Sequence, residues 1–182
     1  MRTALMPLLL FTVACASSSG GSAATSTKPA TQTISGAGIG SLTVRSTTEA
    51  DLARLPYAPD AVWRVLPSIF DSLGIPVTEL NQTSRQIGNT GYKIRQRLGK
   101  VSLSRYLDCG SSQIGPNADS YDVFLTVLTT VAPAGDAAST ALSTVVDAQS
   151  RPATYNQAYS HCSSKGGIEK RITDLVAARL SR

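Results

Sequence analysis

The chain has 182 residues, of which 16% are charged and 5% aromatic, with a formal net charge of +5. This length supports one domain with room for a tail, and so few aromatic rings leave little for stacking on sugars or bases. The basic balance suits anionic partners in general, but the N-terminus points away from any compartment that holds nucleic acid, which is therefore excluded as a partner.

Met1-Arg2-Thr3 places one positive charge before an apolar run of 11 residues, 4–14. Spanning a bilayer takes about 20 residues, so residues 1–14 read as a secretory signal peptide rather than a transmembrane helix. The run ends in Thr12-Val13-Ala14-Cys15, which resembles the lipobox of bacterial lipoproteins, with Thr12 where Leu is usual. The resemblance implies cleavage before Cys15 and acylation of that cysteine. Because residue 16 is Ala rather than Asp, it also implies the periplasmic face of the outer membrane. Each buried methylene contributes about 0.8 kcal/mol, so several acyl chains hold a protein to a membrane stably. The membrane is thus the first expected partner, reached through the lipid anchor. Residues 15–35 are rich in Ser, Thr, Ala and Gly, a composition that cannot bury enough apolar surface to order itself, and read as the lipidated cysteine and a flexible tether. Residues 36–182 form a single domain.

Two cysteines remain, Cys109 and Cys162. An even remainder in an oxidising compartment points to a disulfide, closing a loop of about 50 residues and contributing about 4 kcal/mol by chain entropy. The alternatives are two buried thiols or a metal site with His161. The metal site lacks a fourth ligand, and neighbours on an extended chain point to opposite faces. No metal and no cofactor is expected.

Gly36-Ala37-Gly38-Ile39-Gly40 lacks the preceding strand and following helix of a nucleotide loop and reads as a lead-in to a strand over 42–46. A connector follows through Leu55, Pro56 and Tyr57. Pro59-Asp60-Ala61 opens a helix with proline in its first turn and an acid at its positive end. Val62, Leu66, Ile69, Phe70 and Leu73 make one face, Trp63 lies at its edge, and Gly74 ends it. Pro67 inside the pattern predicts a kink or break. Strands are expected over 76–80 and 86–95, joined by the turn residues 81–84, with Ile87, Tyr92 and Ile94 in the core. Gly88 and Gly91 predict a bulge in the second of them. Residues 97–106 are less regular, and 110–119 read as a loop. Tyr121, Val123, Leu125, Val127 and Val131 alternate along a long strand. Pro133–Asp136 turns the chain into another over 140–149, with Leu142, Thr144 and Val146 on one face. The last helix is expected to be capped by Ser164, with Ile168, Ile172, Leu175, Val176 and Arg179 sharing a face.

The order strand, helix, four strands, helix predicts an α+β fold: an antiparallel sheet of about five strands packed by two helices in a helix-grip-like two-layer sandwich. The segments Val62-Trp63-Arg64-Val65-Leu66, Leu73-Gly74-Ile75-Pro76-Val77 and Arg85-Gln86-Ile87-Gly88 are similar to the repeated domain of BamC-like outer-membrane assembly lipoproteins, a likeness spanning about 30 residues. It implies the same kind of fold.

No catalytic constellation stands out. Any Ser/His/Asp triad must use His161, yet no strained G-x-S-x-G turn occurs. The conspicuous carboxylates Asp119 and Asp122, placed on one strand, would face opposite sides. The basic cluster Lys93, Arg95, Arg97, Lys100 and Arg105 is the candidate binding surface, since Lys93, Arg95 and Arg97 share a parity and would line one strand face. It would meet anionic lipid, peptidoglycan carboxylates or an acidic protein. Tyr92, Tyr106, Tyr121, Tyr155 and Tyr159 are further recognition candidates. The expected role is non-catalytic binding or assembly in the cell envelope, with an envelope protein as partner. A hydrophobic-ligand module and an envelope hydrolase are the alternatives.

Overall fold

The computed structural model describes residues 31–36, 39–45, 51–154 and 156–182. The signal peptide, Cys15 and Tyr155 lie outside them. In chain order the elements are β1 (Thr31–Gly36), β2 (Ile39–Arg45), β3 (Asp51–Leu55), α1 (Pro59–Leu73), β4 (Glu79–Asn81), β5 (Gln86–Ile94), β6 (Arg97–Leu98) and β7 (Val101–Ser102). A 3-10 turn (Leu103–Arg105), β8 (Leu107–Asp108), β9 (Ser111–Ser112), β10 (Gly115–Pro116) and the one-turn α2 (Asn117–Ser120) follow. The chain closes with β11 (Asp122–Pro133), β12 (Thr140–Arg151), β13 (Ser160–Ser164) and α3 (Gly167–Leu180).

The fold is α+β: a seven-stranded antiparallel sheet ordered β4-β5-β11-β12-β13-β8, with β3 also on β12. β11 and β12 pair over their full lengths, from Asp122↔Arg151 to Pro133↔Thr140. The outer edge of β12 takes two strands in succession, β3 along Thr140–Thr144 and β13 along Ala148–Ser150. β1 and β2 form a separate antiparallel hairpin. Its first strand occupies residues 31–36, so the end of the stretch read as tether is extended and paired.

Alternation in β11 and β12 sends Val123, Leu125, Val127, Val131, Leu142, Val146 and Ala148 to one face, all buried. α1 and α3 pack there, against each other and against the central strands. α1 buries Val62, Leu66, Ile69, Phe70 and Leu73, the face its spacing predicts, and ends at Gly74 in the left-handed conformation (φ 72°). Contrary to the expected break, α1 runs unbroken through Pro67. Pro67 is exposed, so its ring meets solvent, and the one bond it forfeits is to the carbonyl of Trp63. Thr129 and Thr144 are buried among the apolar residues but share a hydroxyl–hydroxyl hydrogen bond of 3.1 Å, and Thr140 donates to the Tyr57 carbonyl at 2.6 Å, so their burial leaves no unpaired hydroxyl.

Several boundaries differ from the sequence reading. The strand expected over 76–80 is only Glu79–Asn81; Pro76 cannot donate, and its carbonyl instead accepts from the buried Asn89 side chain at 2.6 Å. Leu55, expected in a connector, ends the strand β3, which pairs with β12 from Thr140↔Leu55 to Thr144↔Asp51. The cap of α3 is Gly166 (φ 75°), not Ser164. The Ser164 hydroxyl accepts the Gly166 N–H at 3.1 Å and donates to buried Glu169 at 2.6 Å. On α3, Ile168, Ile172 and Val176 are buried while Arg179 is exposed.

The bulge predicted in β5 is present. Between Leu125↔Tyr92 and Val127↔Asn89 the register shifts, with Gly91 at φ 66° donating its N–H to the Thr126 hydroxyl at 2.9 Å. At Gly88 the strands approach so closely that any Cβ would collide with the Val127 carbonyl.

Cys109 and Cys162 are joined in a disulfide with Cα atoms 4.2 Å apart. Both are buried. β8 and β13 pair through Asp108↔Ser163 and Leu107↔Ser164, which places the two cysteines at the next opposed position. The bond rules out both free thiols and a Cys/His metal site at these positions.

Candidate binding face of the sheet

The helices cover one face of the sheet. The residues of opposite parity, among them Phe124, Thr126, Leu128 and Thr130 on β11 and Ser143, Val145, Asp147 and Gln149 on β12, point to the other face, where they are half-buried or exposed. No helix among the described residues lies across it. β3 adds Leu52 opposite Ser143 and Arg54 opposite Ala141, and Leu52 is 61% exposed. Most of this face carries hydroxyls and small apolar groups, the composition of an antiparallel face in contact with water.

One end of the face is chemically distinct. Asp122, at the start of β11, is 5% exposed. Its carboxylate meets the Lys93 ammonium at 2.8 Å and the Arg95 guanidinium at 3.2 Å, with Arg151 as a third nearby cation. The hydrogen bond from Lys93 and the charges of Lys93, Arg95 and Arg151 outweigh desolvation and hold the Asp122 carboxyl below the ordinary aspartate range. Three cations around one carboxylate leave this corner positive. Arg151 lies over the Tyr159 ring at 4.7 Å, a cation–π arrangement. Tyr159 in turn meets Phe124 edge to face, with ring centroids 5.1 Å apart.

Beside these rings is a depression of about 300 Å³ lined by Gly91, Phe124, Thr126, Asp147, Gln149 and Tyr159. His161 stands opposite Gln149, and its Nδ1 lies 3.4 Å from an Asp147 oxygen. Cys162, the next residue, is buried towards the helices, so the alternation expected at His161-Cys162 holds.

The basic cluster divides. Lys93 and Arg95 converge on Asp122 as their shared parity predicts. Arg97 does not continue their face, because Gln96 adopts φ 65° and the Arg97 N–H closes a tight turn onto the Arg95 carbonyl at 2.7 Å. Arg97 therefore belongs to the small β6–β7 ribbon. Lys100 lines a separate cleft of about 490 Å³ with Asp71, Tyr106 and Arg171, and Arg105 sits in the 3-10 turn. Asp119 is on α2, not on the strand where it was expected with Asp122, and its carboxylate accepts from the Ser104 N–H at 2.9 Å and from the Ser104 hydroxyl at 2.6 Å. Of the tyrosines, Tyr106 is buried, and Tyr92 is half-buried with its hydroxyl lacking a partner; desolvation pushes its pKa up to about 12. Among the described tyrosines, Tyr159 is the one that joins the distinct corner. The sequence reading missed Phe124, Asp147 and Arg151. The even positions of β11 and the odd positions of β12 were legible as outward rows, but which of them meet depends on the β11–β12 register.

Comparison with known protein families finds no match, and comparison with curated proteins finds no similar sequence.

Proposed function

We propose that the chain is an exported, lipid-anchored protein of the bacterial cell envelope, held to the membrane through Cys15, whose domain binds or assists assembly without catalysis through the helix-free face of its sheet. The observation that carries the reading is the cysteine count. Of three cysteines, Cys109 and Cys162 pair with each other inside the fold, and the odd one follows an 11-residue apolar run at a lipobox-like Thr12-Val13-Ala14-Cys15. A buried structural disulfide suits an oxidising compartment. Among the described residues no helix is long and apolar enough to cross a membrane. The lipobox resemblance with Ala at residue 16 supports an outer-membrane setting, the anchor and tether support an envelope protein as partner, and the positive corner around Asp122 supports an anionic group on whatever the face meets.

The test is the intact mass of membrane-extracted protein, with and without reductant. The expected mass is that of acylated Cys15–Arg182, rising by two hydrogens on reduction, and Cys15→Ser is expected to leave the membrane fraction. An unacylated full-length chain in the soluble fraction would overturn the reading.

A further inference from the structure

The 300 Å³ depression at the positive corner combines features found nowhere else on the described part of this face. Two of the chain's few aromatic rings, Phe124 and Tyr159, form one wall. The Thr126 hydroxyl, the Asp147 carboxylate and the Gln149 carboxamide form the rest with the backbone of Gly91. At Gly91 itself no neighbour lies within 4 Å of where a Cβ would stand, so the mouth stays open on that side. The volume is at the lower limit of small-molecule sites and suits one six-membered ring rather than an extended ligand. An apolar wall beside closely spaced donors and acceptors matches a ring with C–H groups on its face and hydroxyl or amide groups on its rim. The cations Arg151 and Lys93 adjoin the wall: Arg151 lies on Tyr159, and Lys93 is directly opposite Phe124 in the strand register. Lys93 and Arg95 are engaged by Asp122 and Asp147 lies beside His161, whereas Arg151 makes no salt bridge among the described residues and is the cation left for a negative substituent of the ligand.

We infer that this depression is a binding site for a single pyranose ring of an acidic glycan, with the sugar against Phe124 and Tyr159, its polar rim on Thr126, Asp147 and Gln149, and a carboxylate substituent directed to Arg151. The inference rests on the helix-free face being the working face, as proposed above, and names its ligand class. Asp147 is held beside His161, so its carboxylate is positioned to accept from sugar hydroxyls, and Gln149 can both donate and accept. Arg151 is a specificity residue, since a neutral sugar needs the cup and only the acid needs the guanidinium.

A single ring of about 15–20 heavy atoms binds at best in the micromolar to millimolar range, so the measurement is saturation-transfer NMR on the full chain, detergent-extracted and disulfide-intact. The probes are N-acetylglucosamine and its lactyl-ether acid, N-acetylmuramic acid. Transfer to the ring protons of both is expected, with the acid bound about threefold more tightly, the size of one partly exposed ion pair. Arg151→Gln is expected to bring the ratio of the two affinities down to about one, and Tyr159→Ala to weaken both by about tenfold. An unchanged thermal midpoint shows that each variant is folded; should Tyr159→Ala unfold, Asp147→Asn serves in its place and is expected to weaken both probes. Absence of transfer from folded wild-type protein, or transfer unaltered in the folded cup variants, would overturn the inference. Membrane retention and the acylated mass are read independently, so failure here is distinct from failure of the anchored-protein reading.

Discussion

Gly88 shows how a single residue is fixed by its neighbours. Its Cα faces the Val127 carbonyl across the strand pair with no room for a Cβ, in the middle of the β5–β11 pairing. Gly88→Ala is therefore expected to push β5 off β11 and to destabilise the fold by about 1–3 kcal/mol, as overpacking does, measured by urea unfolding. The change has no counterpart at Gly91, where the added methyl meets open space and only the positive φ is strained. Asp122 makes a second prediction. Its pKa is depressed in the fold by the hydrogen bond from Lys93 and by the surrounding cations, so the stability it contributes is present above the unfolded aspartate pKa of about 3.9 and is lost as pH falls through the lower folded value. The thermal midpoint of Asp122→Asn is expected to lie below that of wild type at neutral pH, with the gap closing in acid. A gap independent of pH would mean that the carboxylate charge plays no part.

Among the elements, those with a strong period were legible and those held by distant partners were not. The i, i+3, i+4 spacing of Val62, Leu66, Ile69, Phe70 and Leu73 announces α1, and the alternation Val123-Leu125-Val127 announces β11, because burial on one face imposes the period. β3 escaped because Asp51–Leu55 shows no alternation, and its strand character comes from the free edge that β12 presents to it. The helix is not broken at Pro67, which lies on the solvent side and forfeits a single backbone hydrogen bond. The cap of α3 fell to Gly166 because a left-handed glycine turns the chain from β13 into the helix, leaving Ser164 to bind Glu169. The disulfide was legible by counting, and the β8–β13 pairing explains its place. β8 is only two residues long, so the covalent bond is expected to do most of its anchoring. Replacing both cysteines by Ser is expected to cost about 4 kcal/mol, read as a shift of the urea midpoint, with reductant reproducing the effect in the wild type and changing nothing in the double variant.

For the whole molecule, the candidate site was half legible. Lys93 and Arg95 could be picked out by parity. Phe124, Asp147, Arg151 and Tyr159 belong to three segments whose meeting is decided by the register of β11 on β12 and by the approach to β13. A single apolar cluster joins both helices to the central strands, so the domain is expected to unfold as one unit. Trp63 on α1 is the only tryptophan and is half-buried against that cluster. Its fluorescence reports the helix layer, while far-ultraviolet circular dichroism reports the sheet as well. The two urea transitions are expected to coincide; separate midpoints would show that the layers come apart independently.

The shared edge of β12 also sets an order of events in time. One half of that edge is completed by β3, encoded near the start of the domain, and the other half by β13, encoded close to its end. Strand β8 then gains its partner only from β13. Nucleation around the β11–β12 hairpin is local, but closure waits for segments roughly a hundred residues apart to find the same strand, a topology that places folding on the millisecond-to-second scale rather than the microsecond one. Until the last two dozen residues are present, β12 has an unfilled edge, β8 has no sheet to join and Cys109 has no neighbour with which to oxidise. A nascent or truncated chain is thus an exposed template for strand pairing between molecules, and it is the arrival of β13, filling the rest of the β12 edge and giving β8 its partner, that ends that exposure.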